Sequence, residues 1–264
     1  MSPLAYIPAL TFILLLAGEW LAPRRETNAK HGIWDWIIHL SGFLVQGAII
    51  PLCSYGIATR LLPRLVPSGA GVLPLGWCGA FLLNFVFVDF LYYWQHRAMH
   101  HIPWFWKLHL CHHTAERVDV WVTSRNTLVF HFFFVYFLIN PILGYLVTEP
   151  EGFFAGAMLT ASLDIFRHAN IDASKIPGTR RITMWADKLL VLPGAHHRHH
   201  GAEGYEGYEG NYGANLIIWD RMFGTLLPDE GYPASYGVRQ APTLPVQWLF
   251  PFNAPWRDSN APEP

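Results

Sequence analysis

The chain has 264 residues, with 18 Lys and Arg against 19 Asp and Glu, so charged residues make up 14% where soluble domains carry roughly 25%. Apolar residues reach 52%, which excludes a disordered chain, and a net charge of −1 excludes the basic surplus that nucleic-acid binding needs. Three cysteines, Cys53, Cys78 and Cys111, are odd in number and apolar in setting, so they build no disulfide framework and identify no redox compartment. The residue in excess is histidine, with 14 copies, most of them between His96 and His200.

A helix that crosses a bilayer core about 30 Å thick needs roughly 20 mostly apolar residues. Leu4 to Ala22, charged only at Glu19, meets this length, as do Ile37 to Thr59, with no charge, and Val72 to Gln95, charged only at Asp89. Nothing basic precedes the first apolar run, which predicts an anchor rather than a cleaved leader. Leu128 to Val147 and the shorter Phe153 to Phe166 follow as a predicted membrane hairpin, joined through Thr148, Glu149, Pro150, Glu151 and Gly152. The expected fold class is therefore all-α, an integral membrane bundle of about four to five embedded helices under a histidine-rich helical cap. Arg24, Arg25 and Lys30 after the first span, set against Glu149 and Glu151 at the hairpin turn, place the amino terminus outside, with Arg60 and Arg64 as exceptions. The hairpin makes two passes, so the histidines on either side of it are expected to share the cytoplasmic compartment. In the tail, Leu189 to Pro193, Leu216 to Trp219 and Trp248 to Phe252 read as interfacial helices or cap packing. Trp185, Trp219, Trp248 and Trp256 suit the headgroup level, and Gly201 to Gly213 reads as a mobile loop.

Three histidine groups share a grammar: His96 and His100 form H-x-x-x-H, while His109, His112 and His113 form H-x-x-H-H, repeated by His196, His199 and His200. At about 100° per helical residue, positions i, i+3 and i+4 span an arc of roughly 100°, so the rings of one group are expected to converge on one point. His101 and His197 fall outside these arcs and are expected not to be ligands; His31, His39 and His131 lie in or near spans without partners. A lone histidine is an ordinary hydrogen-bonded polar residue. Eight in three spaced groups differ, because their desolvation at a membrane surface is a cost that a metal ion offsets through the ring lone pairs. Eight ligands exceed the four to six that one transition metal accepts, which implies two ions. His168 is a ninth candidate. Asp164, one turn earlier, is a ligand, a partner that orients His168, or a hairpin polar residue. Asp89, two turns before His96 within a span, is expected to orient ligands by hydrogen bonding, and Asn170 is a further candidate for that role.

Four segments carry a resemblance: Asp89 to His100 (DFLYYWQHRAMH), Trp106 to His113 (WKLHLCHH), Pro193 to Gly201 (PGAHHRHHG) and Asn211 to Thr225 (NYGANLIIWDRMFGT). Together they resemble the fatty acid hydroxylase superfamily, which includes sterol desaturases and lipid hydroxylases. The resemblance covers about half of the chain. It implies a non-haem di-iron centre, two Fe ions with Zn as a substitute in purified protein, that splits O₂ and attacks an unactivated C–H bond of a membrane lipid. It implies two electrons from a redox partner, expected to be a separate protein, and assigns the ligand role to His96, His100, His109, His112, His113, His168, His196, His199 and His200. On this basis residues 1–70 are N-terminal anchor helices, 71–230 the catalytic domain and 231–264 a cytoplasmic tail. Two departures stand out: Arg125-Asn126-Thr127-Leu128 replaces an Arg-x-His-Pro pattern, which puts a lipid-contact role there in doubt, and Asp164 stands where some lipid hydroxylases have a further histidine.

The ligands themselves do not name the metal, since imidazole suits Fe, Zn, Cu and Ni alike. A lipid substrate needs an apolar slot between spans; Tyr92, Tyr93, Trp94, Trp104 and Trp106 either line it or anchor the protein at the interface. Hydroxylation and desaturation share hydrogen abstraction and stay open. An alternative is a membrane metal-binding or transport protein, but transport calls for ligands at mid-membrane, and the clusters read as lying beyond the ends of the spans. A zinc hydrolase ranks last, for want of an H-E-x-x-H.

Overall fold

The structure, a computed structural model, describes residues 2–23, 29–171, 178–202, 210–229, 231–238 and 241–253. Among them there is no strand beyond isolated bridges, and three helices are long and apolar enough to cross a membrane: α1 (Pro3–Leu21), α2 (Ile33–Leu65) and α3 (Trp77–His101). α1 coincides with the first expected span. Its one charge, Glu19, is buried and accepts the backbone N–H groups of Val120 (3.0 Å) and Asn170 (2.7 Å), so it ties the span to two later segments. α2 outruns its expected span at both ends, starting where the Asp35 carboxylate takes the Gly32 N–H at 2.8 Å. It contains two π-helical turns, Val45–Ile49 and Ile57–Leu61, each just ahead of a proline, Pro51 and Pro63. A proline ring clashes with the carbonyl four residues back, and a widened turn relieves that clash.

α3 begins five residues later than expected, because the chain around Leu73 is extended, its N–H bonded to the Leu146 carbonyl at 2.8 Å. It also continues to His101, so His96 and His100 occupy its last two turns rather than lying beyond its end. Pro103 opens α4 (Pro103–His113), which carries the second histidine group.

The expected hairpin is not two full spans. Leu128 to Phe134 is irregular, with a 3₁₀ turn at Phe130–Phe132, and α5 (Val135–Leu146) has 12 residues. That is about 18 Å of helix, short of a core about 30 Å thick. The reason is tertiary: the Leu128 N–H donates to the Trp248 carbonyl at 3.1 Å, and Gln95 sets the start of α5 by accepting the Val135 N–H (2.7 Å) and donating to the Phe133 carbonyl (2.8 Å). The return leg, α6 (Pro150–His168), lies against α1 and α3. Its Gly152 and Gly156 form a G-x-x-x-G face; a Cβ at Gly152 would come within 2.2 Å of the Trp77 carbonyl oxygen. Among the described residues three helices are thus both long and apolar enough to cross a membrane, and α6, with 19 residues, equals α1 in length.

The cap holds α7 (Thr179–Ala186), α8 (Pro193–His199), α9 (Ile218–Met222) and α10 (Leu244–Leu249). Of the two readings for Leu189 to Pro193 and Leu216 to Trp219, the contacts are those of cap packing: the Val191 N–H meets the Asn215 carbonyl at 2.9 Å and the Ile217 N–H the Leu189 carbonyl at 3.1 Å. Of the expected mobile loop, residues 203–209 lie outside the described residues, as do Arg24, Arg25 and Trp256. Gly210 to Gly213 is buried and fixed, since the Asp220 carboxylate accepts the N–H groups of Tyr212 (2.7 Å) and Gly213 (2.9 Å).

Candidate metal centre

The nine candidate histidines gather at the cap end of the bundle in two groups. His96, His100, His109, His113 and His199 form one, and His112, His168, His196 and His200 the other; within each group, one nitrogen per ring lies within 4.8 Å of all the others. His101 and His197 belong to neither group. His197 is turned away, its Nδ1 at 2.8 Å from the Tyr236 hydroxyl. His31 meets Asp119 at 3.0 Å, and His39 and His131 are buried elsewhere.

The grouping corrects the expectation that each sequence cluster converges on one point. His109 and His113 go to the five-ring group while His112 goes to the four-ring group, and His196 and His200 likewise separate from His199. Helical geometry gives the reason. Position i+4 lies about 40° to one side of i and position i+3 about 60° to the other, so one helix face presents rings to two adjacent points. The two points share a wall, in which the His113 and His200 rings stack at 4.5 Å.

Backbone carbonyls determine which nitrogen faces inward. His96 Nδ1 lies 2.9 Å from the Tyr212 oxygen, His112 Nδ1 3.0 Å from that of Arg125, His168 Nδ1 2.7 Å from that of Asp164, and His199 Nδ1 2.9 Å from that of Gly210. A carbonyl only accepts, so each of these Nδ1 atoms carries the proton and each Nε2 presents a lone pair. The Nε2 atoms of His112 and His168 lie 3.2 Å apart, and other ring nitrogens crowd the same two points. The Nε2 of His109 is 3.0 Å from that of His96 and 3.1 Å from that of His113; the Nε2 of His196 is 2.9 Å from that of His168 and 3.2 Å from that of His200. Nitrogens bound to one metal at about 2.1 Å lie roughly 3.0 Å apart at octahedral and 3.4 Å at tetrahedral angles. The residues therefore fit a metal ion in each group. Burial drives His112 down to about 3 and His199 to about 4, and burial with neighbouring imidazoles holds His109, His113, His196 and His200 well below the usual range. All of these are neutral at pH 7, the form that binds metal.

The three residues expected to orient ligands act at different removes. Asp164 holds His168 with its backbone carbonyl, while its carboxylate pairs with Arg167 and stays 3.6 Å from the ring. Asp89 touches none of the nine rings in its hydrogen bonding: its buried carboxylate accepts the N–H groups of Asn215 (2.7 Å) and Leu216 (3.0 Å) and the Trp219 indole (2.8 Å). It fastens the segment that follows Tyr212. Asn170 donates its backbone N–H to Glu19. The Trp-Asp-Arg-Met-Phe-Gly-Thr stretch is likewise a bracket, with Trp219 on Asp89 and Asp220 on the loop and on the Thr225 hydroxyl at 2.8 Å.

Arg125, Gly210 and Tyr212 are the contributors that sequence reasoning missed. Their working atoms are main-chain oxygens, which leave no side-chain signature. The Arg125 side chain is buried: it donates to the Cys111 carbonyl (2.9 Å) and the Thr114 hydroxyl (3.2 Å), and pairs with Asp35, so this position contacts the second histidine helix instead of lipid. At Gly210 a Cβ would lie 2.2 Å from the Thr225 carbonyl oxygen. Gly210→Ala is expected to displace the carbonyl that holds His199 and to weaken metal binding in the five-ring group by roughly 10–100-fold, measured by competition with a chromogenic chelator.

The family model described as fatty acid hydroxylase matches residues 81–225, more than half of the chain. The ornithine lipid hydroxylase OlsE of Rhizobium tropici is 35% identical over 81% of this chain and 62% of its own length. The alkylglycerol monooxygenase of Xenopus tropicalis is 29% identical over 64% of this chain and 34% of its own length. A very-long-chain aldehyde decarbonylase, GL1-5, of Oryza sativa subsp. indica is 32% identical over 48% of this chain and 21% of its own. The chain thus spans about a third of the length of the first and about three fifths of the second of these curated relatives taken in the order alkylglycerol monooxygenase, OlsE. No solved structure matches.

Proposed function

The chain belongs to the fatty acid hydroxylase family, and from that premise we propose that it is a membrane-bound, O₂-dependent oxidoreductase that hydroxylates or desaturates a C–H position of a membrane lipid. The observation that carries this reading is the pair of adjacent all-imidazole cages at one end of a bundle with three helices long and apolar enough to cross a membrane. Relatives named as a lipid hydroxylase and a monooxygenase support it. In this reading His96, His100, His109, His113 and His199 hold one iron and His112, His168, His196 and His200 the other. Two iron ions there would supply reductive activation of O₂ and attack on an unactivated C–H bond, with the two electrons coming from a separate donor protein.

The chain's own residues do the rest. The carbonyls of Arg125, Asp164, Gly210 and Tyr212 fix the ring tautomers, and the Asp89 and Asp220 brackets hold two of those carbonyls in place. Buried Tyr92, Tyr93 and Trp106 exclude water beside the rings, whereas Trp94 and Trp104 are exposed and suit anchoring at the interface. Lys30 on the connection from α1 to α2, against Glu149 and Glu151 at the far turn, supports a cytoplasmic position for the cages. Residues 71–230 then form the catalytic unit, with 1–70 as anchor and 231–264 as tail.

The test is product formation. Iron-loaded protein in lipid, given an electron donor and O₂, is expected to accumulate an oxidised lipid detectable by mass spectrometry, and His112→Ala is expected to abolish it. The same product at the same yield from the variant would remove the assignment.

A further inference from the structure

The cap carries apolar side chains that the described chain leaves bare. On α7, Ile182 is 70% exposed and Trp185 66%, with Leu189 just beyond at 63%. The helical turn runs on past Ala186, since the Asp187 N–H bonds to the Thr183 carbonyl and the Leu190 N–H to that of Ala186. At about 100° per residue these three side chains therefore fall within an arc of roughly 60°. Arg181 and Lys188 stand at one edge of that arc, and Asp187 lies on the far side of the helix. Lys188 reaches back over Trp185, its Nζ 4.2 Å from the ring centroid. On α9, Ile218 and Met222 are exposed one turn apart, with the exposed Arg221 beside them. None of the three cations forms a salt bridge among the described residues.

Their depth is set by α3. The Trp219 indole donates to Asp89 and its ring lies 5.1 Å from that of Phe90, while Phe223 lies 4.9 Å from Trp94. Phe90 and Trp94 stand roughly 20 and 26 Å along α3 from Trp77. A hydrocarbon core about 30 Å thick that begins at Trp77 ends just past Trp94, so α9 sits where acyl chains give way to head groups. α7 is held at the level of α9: Arg221 donates to the Lys188 carbonyl, and the Ile217 N–H to the Leu189 carbonyl at 3.1 Å. A soluble partner would have to enter below the head groups to cover these side chains, whereas lipid is already there. We propose that α7 and α9 form an in-plane seat on the cap-side leaflet, with Ile182, Trp185, Leu189, Ile218 and Met222 at the acyl boundary and Arg181, Lys188 and Arg221 on the phosphates of anionic phospholipids. The proposal rests on α3 as a membrane span and not on the oxidation reading, and its test needs no turnover.

Spin labels read the depth. They are attached at Ile182→Cys, Met222→Cys and, on the far side of α7, Asp187→Cys, each with the exposed Cys53 and Cys78 changed to Ser and the buried Cys111 kept. The metal-loaded protein is placed in phosphatidylcholine nanodiscs with or without phosphatidylglycerol. Power saturation then compares collisions with O₂, which dissolves in hydrocarbon, and with a nickel chelate confined to water. With phosphatidylglycerol present, the Ile182 and Met222 labels are expected to favour O₂ and the Asp187 label the chelate. Adding Arg181→Gln/Lys188→Gln is expected to move the Ile182 label toward the chelate, the ratio of seated to raised helix falling roughly fivefold for each charge lost, with metal content unchanged. Omitting phosphatidylglycerol from the discs is expected to act in the same direction without any substitution in the basic residues. An Ile182 label open to the chelate in discs with phosphatidylglycerol would overturn the proposal, as would one shielded from both reagents, which marks a protein partner. A label in lipid that responds neither to phosphatidylglycerol nor to the double substitution would overturn the assignment to anionic head groups.

Discussion

Alanine at His199 is expected to release the ion of the five-ring cage and leave the other, whereas alanine at His196 does the reverse. The expectation follows from the way the third histidine group divides between the two cages. His199 Nε2 is buried with no protein partner, which leaves it free to bind metal, and its loss removes one of five rings. His196 is the hub of the four-ring cage, in Nε2 contact with both His168 and His200, so its loss opens the smaller cage more severely. Each variant is expected to retain about one ion per chain from a starting content of about two, as read by plasma mass spectrometry. Had each sequence cluster formed its own site, His196→Ala and His199→Ala would empty the same site and be indistinguishable.

Removing both ions is expected to lower the unfolding midpoint by roughly 10 °C or more, since ~4 kcal/mol recovered from metal binding corresponds to a shift of that size in a chain of this length. Without metal, His100 Nε2 and His199 Nε2 are buried with no hydrogen-bond partner, and the other inward-facing ring nitrogens keep only imidazole-to-imidazole contacts at 2.9 to 3.2 Å in place of metal bonds. Acid is expected to deepen the loss. In the unfolded chain a histidine takes up its proton near pH 6.5, but burial delays this to about 4 for His199 and about 3 for His112 in the folded state. Between those limits the unfolded state binds more protons, so the metal-free protein loses stability as pH falls from about 6.5. Differential scanning fluorimetry in detergent, with and without chelator, at pH 7.5 and 5.5 checks both effects; a chelator-independent midpoint would count against a metal-bearing centre.

The candidate ligands were legible because their spacing is helical and because so many polar rings at the end of an apolar span need a reason to be there. Their assignment to two cages was not, since an arc of ring positions on one helix does not say how many points it faces; only the neighbouring helix settles that His112 meets His168 while His109 meets His96. The first three spans were visible as apolar length. α5 was misread for the same reason: Leu128 to Val147 is apolar throughout, and the bonds from Gln95 and Trp248 that cut the helix short come from residues far away in sequence. Asp89 illustrates a third limit. Its cost inside a span pointed correctly to a buried, satisfied carboxylate, but its partners are backbone N–H groups more than a hundred residues later, which no local pattern encodes.

The central claim is that nine histidines hold two metal ions for oxygen chemistry. Metal content per chain tests it most directly, on protein purified in mild detergent from iron-supplied cells and compared with a His112→Ala/His199→Ala double variant. The account predicts about two iron ions per native chain and loss of both in the variant, one from each cage. Fewer than one ion per chain, unchanged by the double substitution, would contradict it.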